Sequence, residues 1–236
     1  MATTEKIRLF QFEPAWGLPS ASPFCLKLET FLRMNRLPFE VVPGASLDQS
    51  PKGGLPYIEF EGRPLGDSGF IIAFLKQRFA IDPDASLGAA ERAIAHAMRR
   101  MIEEHMYWVM TYSRWLEAEN APALRQALFG ALPSEVAATV FARIREQVRA
   151  NIFGHGLGRH NREEMYSLAI DDITALSAFL GDKPYALGDQ PTTLDATAYG
   201  FLAALLVPPI ASPLKSAALA LPNLPAYTER MRGRYF

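Results

Sequence analysis

The chain has 236 residues, 49% of them apolar and 21% charged, with a formal net charge of −1. That length allows one large domain or two small ones, each with its own core, and the composition excludes a disordered chain. Near-neutral charge without a long basic run gives a nucleic-acid partner no electrostatic support.

Ile7 to Phe12 is short, apolar and aromatic and reads as a strand. A Gly/Pro/Ser loop follows to Ser22. Phe24, Leu28, Phe31 and Leu32 then fall at i, i+4, i+7 and i+8, one face of a helix that Pro38 ends. Phe39 to Val42 reads as a second strand, and Pro43 to Gly54 as loop. Tyr57–Phe60 and Arg63–Leu65 flank Glu61-Gly62 as a hairpin, and Ser68 to Phe79 is helical. Strand, helix, strand, loop, hairpin, helix is the thioredoxin order.

The composition then shifts. Asp82-Pro83-Asp84 reads as a linker, with Ser86 the expected cap of the next helix. No strand is expected beyond it. Ala89 to Glu117 predicts one long helix, and Pro133 to Ile152 a second that Gly154, Gly156 and Gly158 break. Asn161 to Leu180 predicts a third, opening on the capping box Asn161-x-x-Glu164 and stopping at Gly181. Thr192 to Val207 is a fourth, and Leu224 to Met231 a short last one. The predicted fold class is an α/β thioredoxin-like N-terminal domain, residues 1–80, plus an all-α C-terminal domain, residues 86–236.

Cys25 is the one cysteine, so an internal disulfide, a cysteine-built metal cluster and C-x-x-C redox chemistry are excluded. A lone thiol suits a reducing compartment. The longest apolar stretch, about Tyr199 to Ile210, is interrupted by Pro208-Pro209 and falls short of the roughly 20 residues of a membrane span. Met1 to Phe10 carries two basic residues and no apolar run of signal length. A cytoplasmic protein without membrane contact is expected.

Several constellations could carry chemistry. Pro23 suits the first helical position, which makes Ser22 the N-cap. A helix start offers unpaired N–H groups and a positive dipole end, so it suits an anion such as a thiolate. Ser22 either donates its hydroxyl there or simply caps the helix. Cys25 sits where thiol pKa values fall, yet free cysteines are commonly buried and inert. Gly53-Gly54-Leu55-Pro56 offers a candidate cis bond before a strand. Asp67-Ser68 precedes a helix, as plain caps or as a carboxylate site. Thr192-x-x-Asp195 resembles a capping box and is read as structural. His105 lies on an apolar stripe and reads as a satisfied core residue. His155 and His160 lack metal-ligand spacing. Tyr107, Met110, Tyr112 and Trp115 either line an apolar pocket or fill the core.

These pieces occur in one order, and along nearly the whole chain the set resembles the cytosolic glutathione transferases. Ser22-Pro23-Phe24-Cys25 is similar to that family's active-site loop, where Ser or Cys starts the first helix. Ser50-Pro51-Lys52-Gly53-Gly54-Leu55-Pro56 is similar to its N-P-x-G-x-V-P stretch, whose proline is cis. Asp67-Ser68 resembles its Glu/Asp-Ser pair, which holds the γ-glutamyl end of glutathione. Thr192-x-x-Asp195 matches its capping box in the sixth helix, although the companion staple, Pro191 with Ala196, is weak. Ser22 to Thr30 and Gly156-Leu157-Gly158-Arg159-His160 resemble more narrowly the failed-axon-connections and metaxin-related branch. That branch includes proteins without established transferase activity. Two glycines ahead of a capped helix suggest a shaped loop, with Arg159 facing a ligand or a partner.

The resemblance implies glutathione as co-substrate, no metal, and a thiolate held at Ser22, with Ser20 the rival donor. It implies Lys52, Leu55, Pro56, Asp67 and Ser68 along the tripeptide, and a small hydrophobic electrophile against Tyr107, Met110, Tyr112 and Trp115. A homodimer is implied as well. Two alternatives stand beside the enzyme: a non-catalytic module for protein contacts or ligand carriage, and a glutathione-dependent thiol oxidoreductase using Cys25. Ser22 argues against the last, because redox members of the family usually place Cys there.

Overall fold

A computed structural model describes residues 6–236. Four strands form one mixed sheet in the order β2-β1-β3-β4, with β1 at Ile7–Phe10, β2 at Phe39–Val42, β3 at Tyr57–Phe60 and β4 at Arg63–Gly66. β1 runs parallel to β2 and antiparallel to β3, and β3 and β4 form the expected hairpin. A parallel pair needs a crossover, which α1 (Pro23–Met34) supplies. Pro64 is tolerated because β4 is an edge strand, where a missing N–H costs no ladder bond. Ile7 and Leu9 alternate inward from β1 and pack with Leu28, Phe31 and Leu32 of α1 and Ile71 and Leu75 of α2 (Ser68–Arg78).

α1 binds the two halves into one body. Cys25 to Leu32 are buried without a break. Leu28, Phe31 and Leu32 belong to the sheet core, and Leu26 to the helical core. α8 (Thr193–Leu206) lies along its other side and is its most extensive neighbour. Where they cross, a Cβ on Gly200 would sit 2.7 Å from the Lys27 nitrogen and 2.8 Å from the Pro23 carbonyl. The missing side chain is what lets the two backbones meet.

The helical part contains α3 (Ala89–Arg100), α4 (Tyr107–Trp115), α5 (Ala121–Phe129), α6 (Ser134–His155), α7 (Arg162–Leu180), α8, α9 (Pro213–Leu219) and α10 (Asn223–Tyr235). The long helix predicted from Ala89 is α3 and α4 joined through a π-helical turn, Met101–Met106. Ser86 does not cap it; the Glu91 carboxylate accepts from the Gly88 N–H at 2.8 Å instead. α6 runs on to His155 and stops at Gly156, φ 107°. α5 and α9 lie in stretches for which the sequence reading assigns no element. Both expected boxes form: Asn161 with Glu164, and Thr192 with Asp195. Asp195 is fully buried and also accepts from the Ala186 N–H (2.8 Å) and the Tyr227 hydroxyl (2.9 Å), tying α8 to α10. Among the described residues no single helix is long and apolar enough to cross a membrane.

The Gly200 contact carries a prediction. Gly200→Ala drives a methyl into the backbone of the first turn of α1, which has no flexible side chain there to give way, so stability falls by about 1–3 kcal/mol. Urea unfolding checks this: the midpoint drops with the m-value unchanged, and a variant as stable as the parent contradicts the crossing described.

Candidate functional site

A cleft of about 840 Å³ opens where the sheet half meets the π turn and α4. Its size lies within the roughly 300–1,000 Å³ usual for small-ligand sites. One wall is the loop of Lys52, Leu55 and Pro56, with a cis Leu55–Pro56 bond, followed by Asp67, Ser68 and Phe70 at the start of α2. The Lys52 ammonium stands 4.0 Å over the Phe70 ring. The facing wall is Arg99, Arg100, Glu103 and Glu104, and Phe24, Tyr107 and Trp108 give it an apolar end.

Asp67 opens α2 with φ 77°, a left-handed conformation that costs a residue with a side chain of order 1–3 kcal/mol. Its carboxylate repays part of this by accepting from the Gly69 (2.8 Å) and Phe70 (3.2 Å) N–H groups. Behind Ser68 lies a buried charge cluster. Lys27 Nζ is 2.6 Å from Glu103 Oε1 and 3.1 Å from Ser68 Oγ, with the lysine 1% and the glutamate 6% exposed. Thr197 donates to Glu103 Oε1 at 3.3 Å, and Arg99 lies 3.7 Å from Oε2. Burial pulls the Lys27 pKa down, and the adjoining Glu103 carboxylate opposes that.

Ser22 is the N-cap of α1, and its Oγ accepts from the Cys25 N–H at 3.4 Å. It is half-buried and stands beside the cleft; the lining begins two residues on, at Phe24. Ser20 is fully buried, its Oγ taken by the Ser22 N–H. Of the two hydroxyls, Ser22 is the accessible one. Buried Arg114 of α4 fixes this loop from behind, donating to the Ala21 carbonyl at 2.8 Å and also to the Ala204 carbonyl of α8.

Two family models match the chain, the glutathione S-transferase N-terminal domain over residues 23–120 and the glutathione S-transferase C-terminal domain over residues 169–231. The isoprene-epoxide–glutathione S-transferase of Rhodococcus sp. strain AD45 is 35% identical, over 97% of this chain and 99% of its own length. This chain belongs to the glutathione S-transferase family. Failed axon connections of Drosophila melanogaster is 36% identical over 98% of the chain, which spans 58% of that protein's length. Metaxin-1 of Mus musculus is 28% identical over 98% of the chain and 75% of its own. Among solved structures, the glutathione transferase GSTFuA3 of Phanerochaete chrysosporium superposes with a TM-score of 0.67 at 16% identity, covering 99% of both chains.

Within this transferase fold the four expected pocket residues part company. Tyr107 lines the cleft, edge-on to Phe24 at 5.0 Å. Met110 does not: it is 1% exposed in the helical core. Tyr112 turns to Tyr166 of α7, 6.0 Å away, and Trp115 stacks on Phe141 of α6 at 5.5 Å. A helix rotates 100° per residue, so residues three to eight apart reach different neighbours. Trp108, on the same apolar stripe as His105, does line the cleft; it lies 5.1 Å from the His155 ring, and its buried indole N–H has no partner among the described residues. His105 faces Asp172 of α7 at 2.5 Å, so it is partnered as expected, but its side chain is 36% exposed and lies outside the core. In the Gly156–His160 loop, a Cβ on Gly158 would sit 2.8 Å from the Phe153 nitrogen, and exposed Arg159 lies over the Phe153 ring. The loop is folded onto the end of α6.

Cys25 is fully buried, and burial pushes its thiol up to about 11 from 9.0. The Phe12 backbone and the Ser22 and Ser20 hydroxyls pull in the other direction without overcoming it. Because the folded pKa exceeds the unfolded one, this group favours folding fully below about pH 9, and the contribution disappears as pH rises through about 11. Cys25 in the native chain therefore reacts with iodoacetamide at pH 8 at least about 100-fold more slowly than in the denatured chain, from the thiolate fractions alone. Equal labelling rates would show an accessible, ionisable thiol.

Proposed function

We propose that the chain binds glutathione in the interdomain cleft and joins it, through its thiolate, to a small apolar electrophile of the epoxide class. The observation that carries this is the cleft itself. It joins a charged end, built from the Lys52 loop, the start of α2 and Arg99 to Glu104, to an aromatic end at Phe24, Tyr107 and Trp108. A zwitterionic tripeptide suits the first and an apolar electrophile the second. The 35% identical relative named for isoprene epoxide supports the epoxide class.

In this reading the thiolate sits at the mouth of α1 beside Ser22. Useful ionisation at neutral pH needs the free thiol pKa of about 8.5 to fall by roughly 2 units, worth about 2.7 kcal/mol. A helix N-terminus supplies roughly 0.3–1 kcal/mol, up to ~2 when partly buried. A hydroxyl donating to a charged acceptor adds about 1.5–3 kcal/mol. Together these suffice without a general base. The sulfur attacks an epoxide carbon, the C–S bond forms as the C–O bond breaks, and the alkoxide takes its proton from water.

The first test is Ser22→Ala. Transfer to a generic epoxide falls tenfold or more, at about 1.4 kcal/mol per decade, with glutathione affinity mostly retained; Cys25→Ser leaves turnover unchanged. Wild-type protein that neither binds nor turns over millimolar glutathione removes the enzyme reading. A second reading, a non-catalytic module, is favoured by the similarity to Failed axon connections and metaxin-1 and by Ser22 standing outside the cleft lining. Glutathione binding without turnover selects it. A homodimer belongs to the same proposal, supported by the exposed Phe70 of α2 and Ile94 of α3.

A further inference from the structure

Lys27 has no role in the reading above, although it sits in the Ser22–Thr30 stretch. An ammonium buried to 1% exposure is costly unless every proton is used well. Its bond to Ser68 has one possible polarity. An ammonium carries three donors and no lone pair, so Lys27 donates and Ser68 Oγ accepts, at 3.1 Å. The Ser68 hydroxyl proton then points away from Lys27, and it meets no acceptor among the described residues. Ser68 lines the cleft. Lys27 lines instead a smaller neighbouring cavity of about 280 Å³, which shares Gly69, Ala73 and Arg99 with the cleft. Glu103 holds the ammonium at 2.6 Å and is itself held by Thr197.

We propose that Lys27 is a positioning residue that fixes Ser68 as a hydrogen-bond donor to the cleft. A free serine hydroxyl would serve a donor or an acceptor equally well. With its lone pair engaged from behind, Ser68 favours a ligand acceptor and disfavours an amine or an amide N–H. Lys52, Arg99 and Arg100 line the same cleft and can meet an anion there, so the selected group is a carboxylate. This rests on the glutathione reading, in which that group is the α-carboxylate of the γ-glutamyl unit.

The test compares, by calorimetry, glutathione with 4-aminobutyryl-cysteinylglycine, which keeps the amine and thiol but lacks that carboxylate. Wild type prefers glutathione by at least about tenfold, the size of one hydrogen bond to a charged group. In Lys27→Gln the amide still reaches Glu103, while its carbonyl can take the Ser68 proton, and the preference falls to within about threefold, an effect below 1 kcal/mol. The pair Lys27→Met/Glu103→Gln, which leaves no buried charge unpartnered, behaves alike. Ser68→Ala needs neither variant to fold and loses the preference too. Adding Lys27→Gln to it changes nothing further. A structural strut would weaken both ligands together and preserve the ratio; that result overturns the proposal, as does a Ser68→Ala protein that keeps the preference. Wild type binding both ligands equally well also ends it while glutathione binding stands, whereas wild type binding neither removes the glutathione reading with it.

Discussion

The rest of the molecule depends on α1 being buried on every side. A helix between a sheet and a second helix has no solvent face, so each polar residue on it needs an internal partner. Lys27 has Glu103 and Ser68. Glu29, 1% exposed, has Arg33 and the Gln11 side chain. Thr30 returns its hydroxyl to the Leu26 carbonyl at 2.6 Å. These bonds fix the rotation of α1 about its own axis, and Gly200 fixes its distance from α8. With both set, the first turn of α1 has one position relative to α2 and to the π turn, and the cleft follows.

The Lys27–Glu103 pair is the costly part of this arrangement. Ion pairs in interiors often do no better than apolar residues of the same shape, because desolvation offsets the attraction. Its strategic value is geometric: it links α1 of the sheet half to the π turn of the helical half. π turns recur at functional sites because the extra residue re-aims side chains. Here the turn carries Glu103 and Glu104 to the cleft within one turn of Arg99 and Arg100. Arg114 does the matching work on the other side, holding the Ala21 carbonyl just ahead of α1.

The sheet half was legible almost to the residue, because its elements are short, alternate cleanly and are punctuated by Pro and Gly. β2 matches Phe39 to Val42, and the hairpin sits on Glu61-Gly62. α5 and α9 were not legible, since Pro122 and Pro213 look like loop markers even though Pro near the first helical position is a start signal. The cleft-lining residues Lys52, Leu55, Pro56, Asp67 and Ser68 came from motif spacing, which is local and survives folding. The aromatic wall did not: helical spacing says that Met110, Tyr112 and Trp115 share an apolar environment, never which one. The charged wall could have been found from Arg99-Arg100 and Glu103-Glu104 at i, i+4, which the sequence shows plainly. The π turn that turns them toward the cleft has no such signal.

Ser68 in the cleft and Ser22 beside it solve one problem in one way. A serine hydroxyl accepts through two lone pairs and donates a single proton. Ser68 accepts from Lys27, and Ser22 accepts from the Cys25 N–H. In each the protein occupies the oxygen and leaves the proton for an anion. The Cys25 sulfur near Ser22 is a weak competitor for that proton, because burial keeps it a neutral thiol with little acceptor strength. Capping a helix and stabilising a bound anion are therefore compatible duties for one side chain. A fold relative that gave up catalysis could keep Ser22 as a cap and Ser68 as the partner of Lys27, so their presence alone does not separate a transferase from a carrier. The separation lies in whether a sulfur reaches the open side of Ser22, two residues outside the cleft lining.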